Sequence, residues 1–215
     1  MLIHLMLKDL LIVKKYVLLV LLIAVAVPPF LLWRNPELAA ALGNVFSVVF
    51  GVFLTLMYLG EKENKYTKAT LLLAATPYPR KWMVVSKYLV SLLMFCACTC
   101  IFWLETLIFP ALGGFNAPLS AVLFSIVSLF LALYLPLHYK IGYENTKYAF
   151  VVVIMATPIL PGALEQMPGL RTGLRTLMTT LTPPVFFIIL IAGSLALLAA
   201  SACLSVRFYE RADLT

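Results

Sequence analysis

The side chains able to do chemistry in this 215-residue chain are few, and their spacing argues against catalysis. Cys96, Cys98 and Cys100 lie two apart, and at 3.6 residues per turn a helix turns Cys98 away from the other two. No tetrahedral metal site can form from them. They and Cys203 are expected to serve as small apolar residues. His4 and His138 are far apart in sequence, and neither has a metal-ligand neighbour. The chain contains no G-x-S-x-G, no H-E-x-x-H, no useful Cys/His pairing and no phosphate loop of the G-x-x-x-x-G-K type. The expectation is a chain that catalyses nothing, holds no cofactor or metal and hydrolyses no ATP itself. Two acids fall at the ends of apolar stretches. Glu105 lies 22 residues past Met83, about 33 Å along a helix, which brings it to the outer boundary as a solvated carboxylate. Glu165 is read the same way. With Arg171 and Arg175, these acids are the candidates for a substrate path or outer gate.

The remaining charge concentrates in "GEKENKYTKATLLLAATPYPRKW", residues 60 to 82, with two acids, four lysines and an arginine. The chain as a whole is 63% hydrophobic and only 12% charged. Its mean hydropathy of +1.04 leaves too little polar surface for a water-soluble domain and makes it an integral membrane protein. Placing Lys62, Lys65, Lys68, Arg80 and Lys81 in hydrocarbon would cost about 12 to 18 kcal/mol, so this window must lie outside the bilayer core.

A bilayer core of about 30 Å needs roughly 20 apolar residues per helix. Runs of that kind predict an all-α, single-domain polytopic protein with six transmembrane helices, at 16–33, 38–59, 83–109, 118–137, 148–165 and 184–206. Pro28 and Pro29 in the first span, and Pro158 and Pro161 in the fifth, either kink their helices or end them early. With the N-terminus inside, thirteen Lys and Arg residues fall on the inner side and only Arg34, Arg171 and Arg175 on the outer side. Both termini are therefore expected to be cytoplasmic. Trp33 and Trp103 near the outer boundary agree, as do Trp82, Tyr139 and Tyr148 at the inner one. This asymmetry and anionic lipid account for the net charge of +7, without a nucleic-acid partner.

Lys14 and Lys15, followed by an apolar stretch and "AVA", have the outline of a signal peptide. The preceding "MLIHLMLKDLLIV" is itself apolar, so residues 1–15 are expected to form a helix at the inner interface, with His4, Lys8 and Lys15 as its polar stripe. Between the fifth and sixth spans, Leu170, Leu174, Leu177 and Leu181 form one apolar stripe, with Arg171 and Arg175 turned to another face. A helix over 168–182 on or in the outer leaflet follows, or an ordinary interfacial connector. In the sixth span Ala192, Ala196 and Ala200 make a small-residue stripe suited to close helix contact.

Residues 61–76 contain no proline or glycine, and Glu61 stands four before Lys65 in the favourable order, which predicts a cytoplasmic helix. Thr76, Pro77 and Pro79 end it. Its second half, "ATLLLAA", is apolar nearly all round, and so short a helix is marginal in water. A partner, or the inner ends of the spans, must supply the socket. A second cytoplasmic loop, "HYKIGYENTKY" at 138–148, is polar and aromatic and offers a smaller contact on the same side.

The six-span plan and the run "EKENKYTKATLLLAATPYPRKWMVVSKYL" resemble the membrane subunit of bacterial ABC exporters of the second, ABCG-like type. The residues that carry the resemblance are Glu61, Lys62, Thr67, Leu71, Leu72, Leu73, Pro77 and Pro79 with Arg80, then Lys87 and Tyr88. Where that family often has glycine before the threonine, this chain has Tyr66. The resemblance implies a half-transporter in the bacterial cell membrane, two copies of which make a twelve-helix pore. Each copy would seat its inter-span helix in a separately encoded ATP-binding cassette subunit that carries Mg-ATP. The expected coupling residues are Glu61, Lys62, Glu63, Lys65, Lys68, Leu71, Leu72, Leu73, Pro77 and Arg80, with Tyr139, Tyr143 and Glu144 from the second loop. The substrate expected from similar small exporters is hydrophobic or amphipathic, such as a phenol-soluble modulin or bacteriocin-type peptide. An ATP-independent channel or secondary carrier, or an immunity or scaffold protein, are the alternatives.

Overall fold

A computed structural model of the chain describes residues 2–34, 36–65, 80–112, 115, 117–156 and 183–211. These are helical almost throughout: α1 (Leu2–Ile12), α2 (Lys14–Arg34), α3 (Pro36–Lys65), α4 (Arg80–Ile108), a 3₁₀ turn (Pro110–Leu112), α5 (Ala117–Ile141), α6 (Tyr143–Ala156) and α7 (Pro183–Arg211). Among the described residues five helices, α2, α3, α4, α5 and α7, are long and apolar enough to cross a membrane. The protein is polytopic, and its described residues form helices and no strands. Of the expected fifth span, residues 148–156 fall in α6 and the rest lies outside the described residues, as does the expected external helix over 168–182.

The helix ends differ from the sequence reading in three places. The second span does not stop at residue 59: α3 continues to Lys65, because residues 61–65 contain no proline or glycine to break it. Glu61 to Lys65 are thus the end of a span helix rather than the start of a separate one. The supposed loop at 138–147 is helix on both sides of one residue, Gly142, whose φ of +88° is open to glycine without strain. At the N-terminus α1 ends at Ile12 and Lys14 already opens α2. Leu5, Asp9 and Val13 form the buried stripe there, against α4.

The core runs along α3 and α4 and takes in the facing residues of α2, α5 and α7. α3 is the most enclosed span and the least apolar, since protein rather than lipid surrounds it, and Asn44, Ser47 and Thr55 are buried along it. Its glycines are sockets. A Cβ at Gly51 would lie 2.3 Å from Cys98 Sγ, and one at Gly43 would lie 3.2 Å from the Phe102 ring. Cys98 is accordingly buried while Cys96 and Cys100 face outward. α2 packs along α3, and α5 along α7, each pair in extensive contact. In α7 the contact residues are Ser194, Leu198, Ser201 and Ser205, whereas the alanine stripe Ala192, Ala196 and Ala200 is exposed.

Prolines do not end these helices, because neighbours repair them. Pro28 has no N–H to give the carbonyl of Ala24, and Ser47 Oγ of α3 donates to that oxygen at 3.1 Å instead. Pro136 likewise deprives the carbonyl of Ala132, which takes a hydrogen bond from Ser201 Oγ of α7 at 2.9 Å. The carbonyls that Pro28 and Pro136 leave without a helical donor are thus each satisfied across a helix pair.

Candidate functional site

The candidate coupling residues that the structure describes converge at the lysine-rich end of the bundle, around the last two turns of α3. Tyr58 stacks on Tyr16 of α2 with ring centroids 4.0 Å apart, and Lys62, one turn further on, places its ammonium 5.2 Å above the Tyr16 ring. Glu63, on another face, forms an ion pair with Lys87 of α4. The Lys87 ammonium also lies 5.0 Å from the ring centre of Tyr139 in α5. Tyr139 in turn meets Tyr209 of α7 edge-on at 5.2 Å, and Tyr209 Oη lies 3.7 Å from Met83 Sδ in α4.

The corner between α5 and α6 is seated on the same stem. Gly60 leaves room for the Tyr143 ring, since a Cβ there would lie 2.7 Å from it. Tyr143 Oη donates to the carbonyl of Met57 at 3.2 Å, and Asn64 Nδ2 reaches Glu144 Oε1 at 3.4 Å. Burial, with the carboxylates of Glu61 and Glu144 adding to it, pushes the Tyr143 hydroxyl up to about 12, so it remains a donor near neutral pH. His138 stacks on Tyr134 at 5.6 Å and meets Tyr143 edge-on at 6.1 Å.

Two further polar contacts fix α1 and α7 to α4. Asp9, 1% exposed, accepts a hydrogen bond from Ser86 Oγ at 2.8 Å and has Lys8 Nζ at 3.0 Å. Tyr88 Oη lies 2.7 Å from Ser201 Oγ and 2.9 Å from Ser205 Oγ. The Ser201 proton is committed to Ala132, so Tyr88 donates to Ser201. Helices α1 to α7 all therefore meet in one layer at this end.

Lys65 closes α3 and is exposed, and Arg80 opens α4. Lys68, Leu71, Leu72, Leu73 and Pro77 lie outside the described residues, as do Glu165, Arg171 and Arg175. Glu105 is described, and it corrects the expectation of a solvated boundary acid. It is only 5% exposed, and neither carboxylate oxygen has a hydrogen-bond partner among the described residues. The reason is its face: Cys98, Phe102 and Glu105 share one stripe of α4, and that stripe is the seam against α3. It stands 18 residues from Lys87, about 27 Å along the helix, so it takes no part in the polar layer.

Sequence reasoning missed Asp9, Tyr16, Tyr58, Gly60, Ser86 and His138 in this layer, and read Lys87 only as a positive charge and part of a motif. A signal existed for Lys87. It sits between Val84 and Ser91 at seam spacing, where a charged residue demands a partner.

What the layer can do chemically is limited: it contains no nucleophile–base pair, and no cluster that could hold a metal ion occurs among the described residues. The model of the ABC-2 family transporter proteins matches residues 4–210. The chain belongs to the ABC-2 transporter family. No curated protein and no solved structure matches it. As an ABC-2 permease it is a membrane transport subunit rather than an enzyme in itself, and the family implies an ATP-binding cassette partner.

Proposed function

We propose that this ABC-2 permease is half of an ATP-driven exporter, and that it moves a hydrophobic or amphipathic substrate, a peptide in the reading favoured here, out of the cell. Two copies would form the pore in the bacterial cell membrane with both termini in the cytoplasm. A separate ATP-binding subunit on each copy would hold Mg-ATP and clasp the segment between α3 and α4. The observation that carries this reading is the convergence of the layer. The stem of α3 below residue 66 is joined to α2 through Tyr16, to α4 through Lys87 and to α5 and α6 through Tyr143, so a push on that stem reaches each of those helices together. Closure of the ATPase pair would then drive a rigid-body switch in the bundle.

The test is purification of the chain in mild detergent with whatever binds it. An ATP-binding protein with magnesium-dependent hydrolysis should co-purify, and E61A/K65A/K68A should release it. Full retention of the ATPase by that variant would refute docking at this segment. One observation favours a second reading, a proton- or ion-driven carrier: the buried, unpartnered Glu105. That reading requires flux into liposomes containing this chain alone, without ATP.

A further inference from the structure

The Glu63–Lys87 pair stands out among the polar contacts of the layer, because it joins the two helices that lead into and out of residues 66–79. Its side chains are 19% and 9% exposed, so the pair is largely withdrawn from water. Withdrawn ion pairs are poor sources of net stability, since desolvation offsets most of the attraction, yet losing one partner strands the other charge. Such a pair is costly to break from one side and tolerant of joint replacement. It defines a geometry more than it stabilises a fold.

Its surroundings make the contact separable. Beside it lies a cavity of about 10 Å³ lined in part by Lys87, His138 and Gly60, the size of one water molecule. His138 Nδ1 has no hydrogen-bond partner among the described residues. A water there can donate to that nitrogen and accept from the Lys87 ammonium, which lowers the cost of a transient parting from Glu63 without replacing its charge. The Tyr139 ring offers the same cation a second resting place, on α5.

We propose that Glu63 and Lys87 form a latch that holds the end of α3 against the second turn of α4, and that it must be intact for movement of the α3 stem to reach the far end of α4. Both are positioning residues. The proposal rests on the exporter reading for its use, but the latch itself can be tested without the partner.

In the full chain in lipid nanodiscs, hydrogen–deuterium exchange is followed over residues 58–65 and 80–88. E63Q and K87M should exchange there about tenfold faster than the unaltered chain or more, while K87R and the swapped pair E63K/K87E stay within about threefold. E63Q/K87M, which leaves no stranded charge, provides a folded reference if a single variant does not fold. In complexes with the co-purified ATPase, a non-hydrolysable ATP analogue should change exchange over residues 98–108 in the unaltered and swapped chains but not in E63Q. A pair that only stabilises the fold would leave that nucleotide response in place. Exchange in E63Q and K87M equal to the unaltered chain, a swap as damaging as the single changes, or a preserved nucleotide response in E63Q would each overturn the latch. Failure of any ATPase to co-purify would instead count against the exporter reading, and the nanodisc result would stand.

Discussion

Replacing Ser47 by alanine tests the repair of α2 directly. Ser47 is 1% exposed and its Oγ donates to the carbonyl of Ala24, the oxygen that Pro28 leaves without a helical partner. Removing the hydroxyl strands a buried acceptor, which in a water-soluble protein costs about 1 to 3 kcal/mol. Inter-helix hydrogen bonds in membranes average nearer 0.6 kcal/mol, because the unfolded chain in the bilayer finds other partners. Here the competing partner has been deleted by proline, so the upper part of the membrane range applies and S47A should cost about 1 to 2 kcal/mol. P28A returns an N–H four residues after Ala24, so in that background the same S47A change should cost less than about 0.5 kcal/mol. Equilibrium unfolding of the four chains in one detergent gives the coupling. Equal costs of S47A in the two backgrounds would refute the assignment of Ser47 to the proline defect.

Two further outcomes follow from the α3–α4 seam. G51A should destabilise the protein by about 1 to 3 kcal/mol, since its Cβ would lie 2.3 Å from Cys98 Sγ, and C98A should restore it by removing that sulfur; thermal unfolding of the single and double variants checks this, and G51A as stable as the original chain would refute the close approach. E105L should raise stability by about 1 to 3 kcal/mol, because both oxygens of a 5% exposed carboxyl lack partners among the described residues; a lowered unfolding temperature would refute this by showing that the carboxyl is held by another group.

Five of the six expected spans were legible, because lipid imposes a length and a polarity that composition alone displays. Their ends were less so. "HYKIGYENTKY" reads as a loop by its polarity, but aromatic and charged residues at the end of a span can remain helical while their tips leave the apolar layer, and only Gly142 breaks the run. Glu105 was placed by distance along its helix, which fixes depth and says nothing about face. Its spacing from Cys98 and Phe102 carried the missing direction. The serines opposite Pro28 and Pro136 could not be found from sequence, since their meaning depends on which helix lies beside which. The coupling layer was half legible for a related reason: Glu63, Tyr139 and Tyr143 were noticed as polar residues near a charged segment, but Gly60 acquires its role only when the Tyr143 ring arrives over it.

The two serine repairs also determine which helices must stay together. Separating α2 from α3 would strand the carbonyl of Ala24, and separating α5 from α7 would strand that of Ala132. Within α3, α4 and α7, Thr55, Ser91 and Ser194 incur no such dependence, because each bonds the carbonyl four residues back in its own helix. The bundle therefore divides between a unit of α2, α3 and α4, joined by the glycine sockets, and a unit of α5 and α7. Near the lysine-rich end these units are tied by Tyr88 to Ser201 and Ser205 at 2.7 and 2.9 Å. Toward the opposite end Asn44 reaches Ser120 at 3.3 Å, a longer and weaker contact. Between these two levels the units interlock through Phe53 against Phe130 at 3.8 Å and Phe95 against Phe124 at 5.3 Å, so one apolar core runs along both and a relative movement of the units must repack those rings.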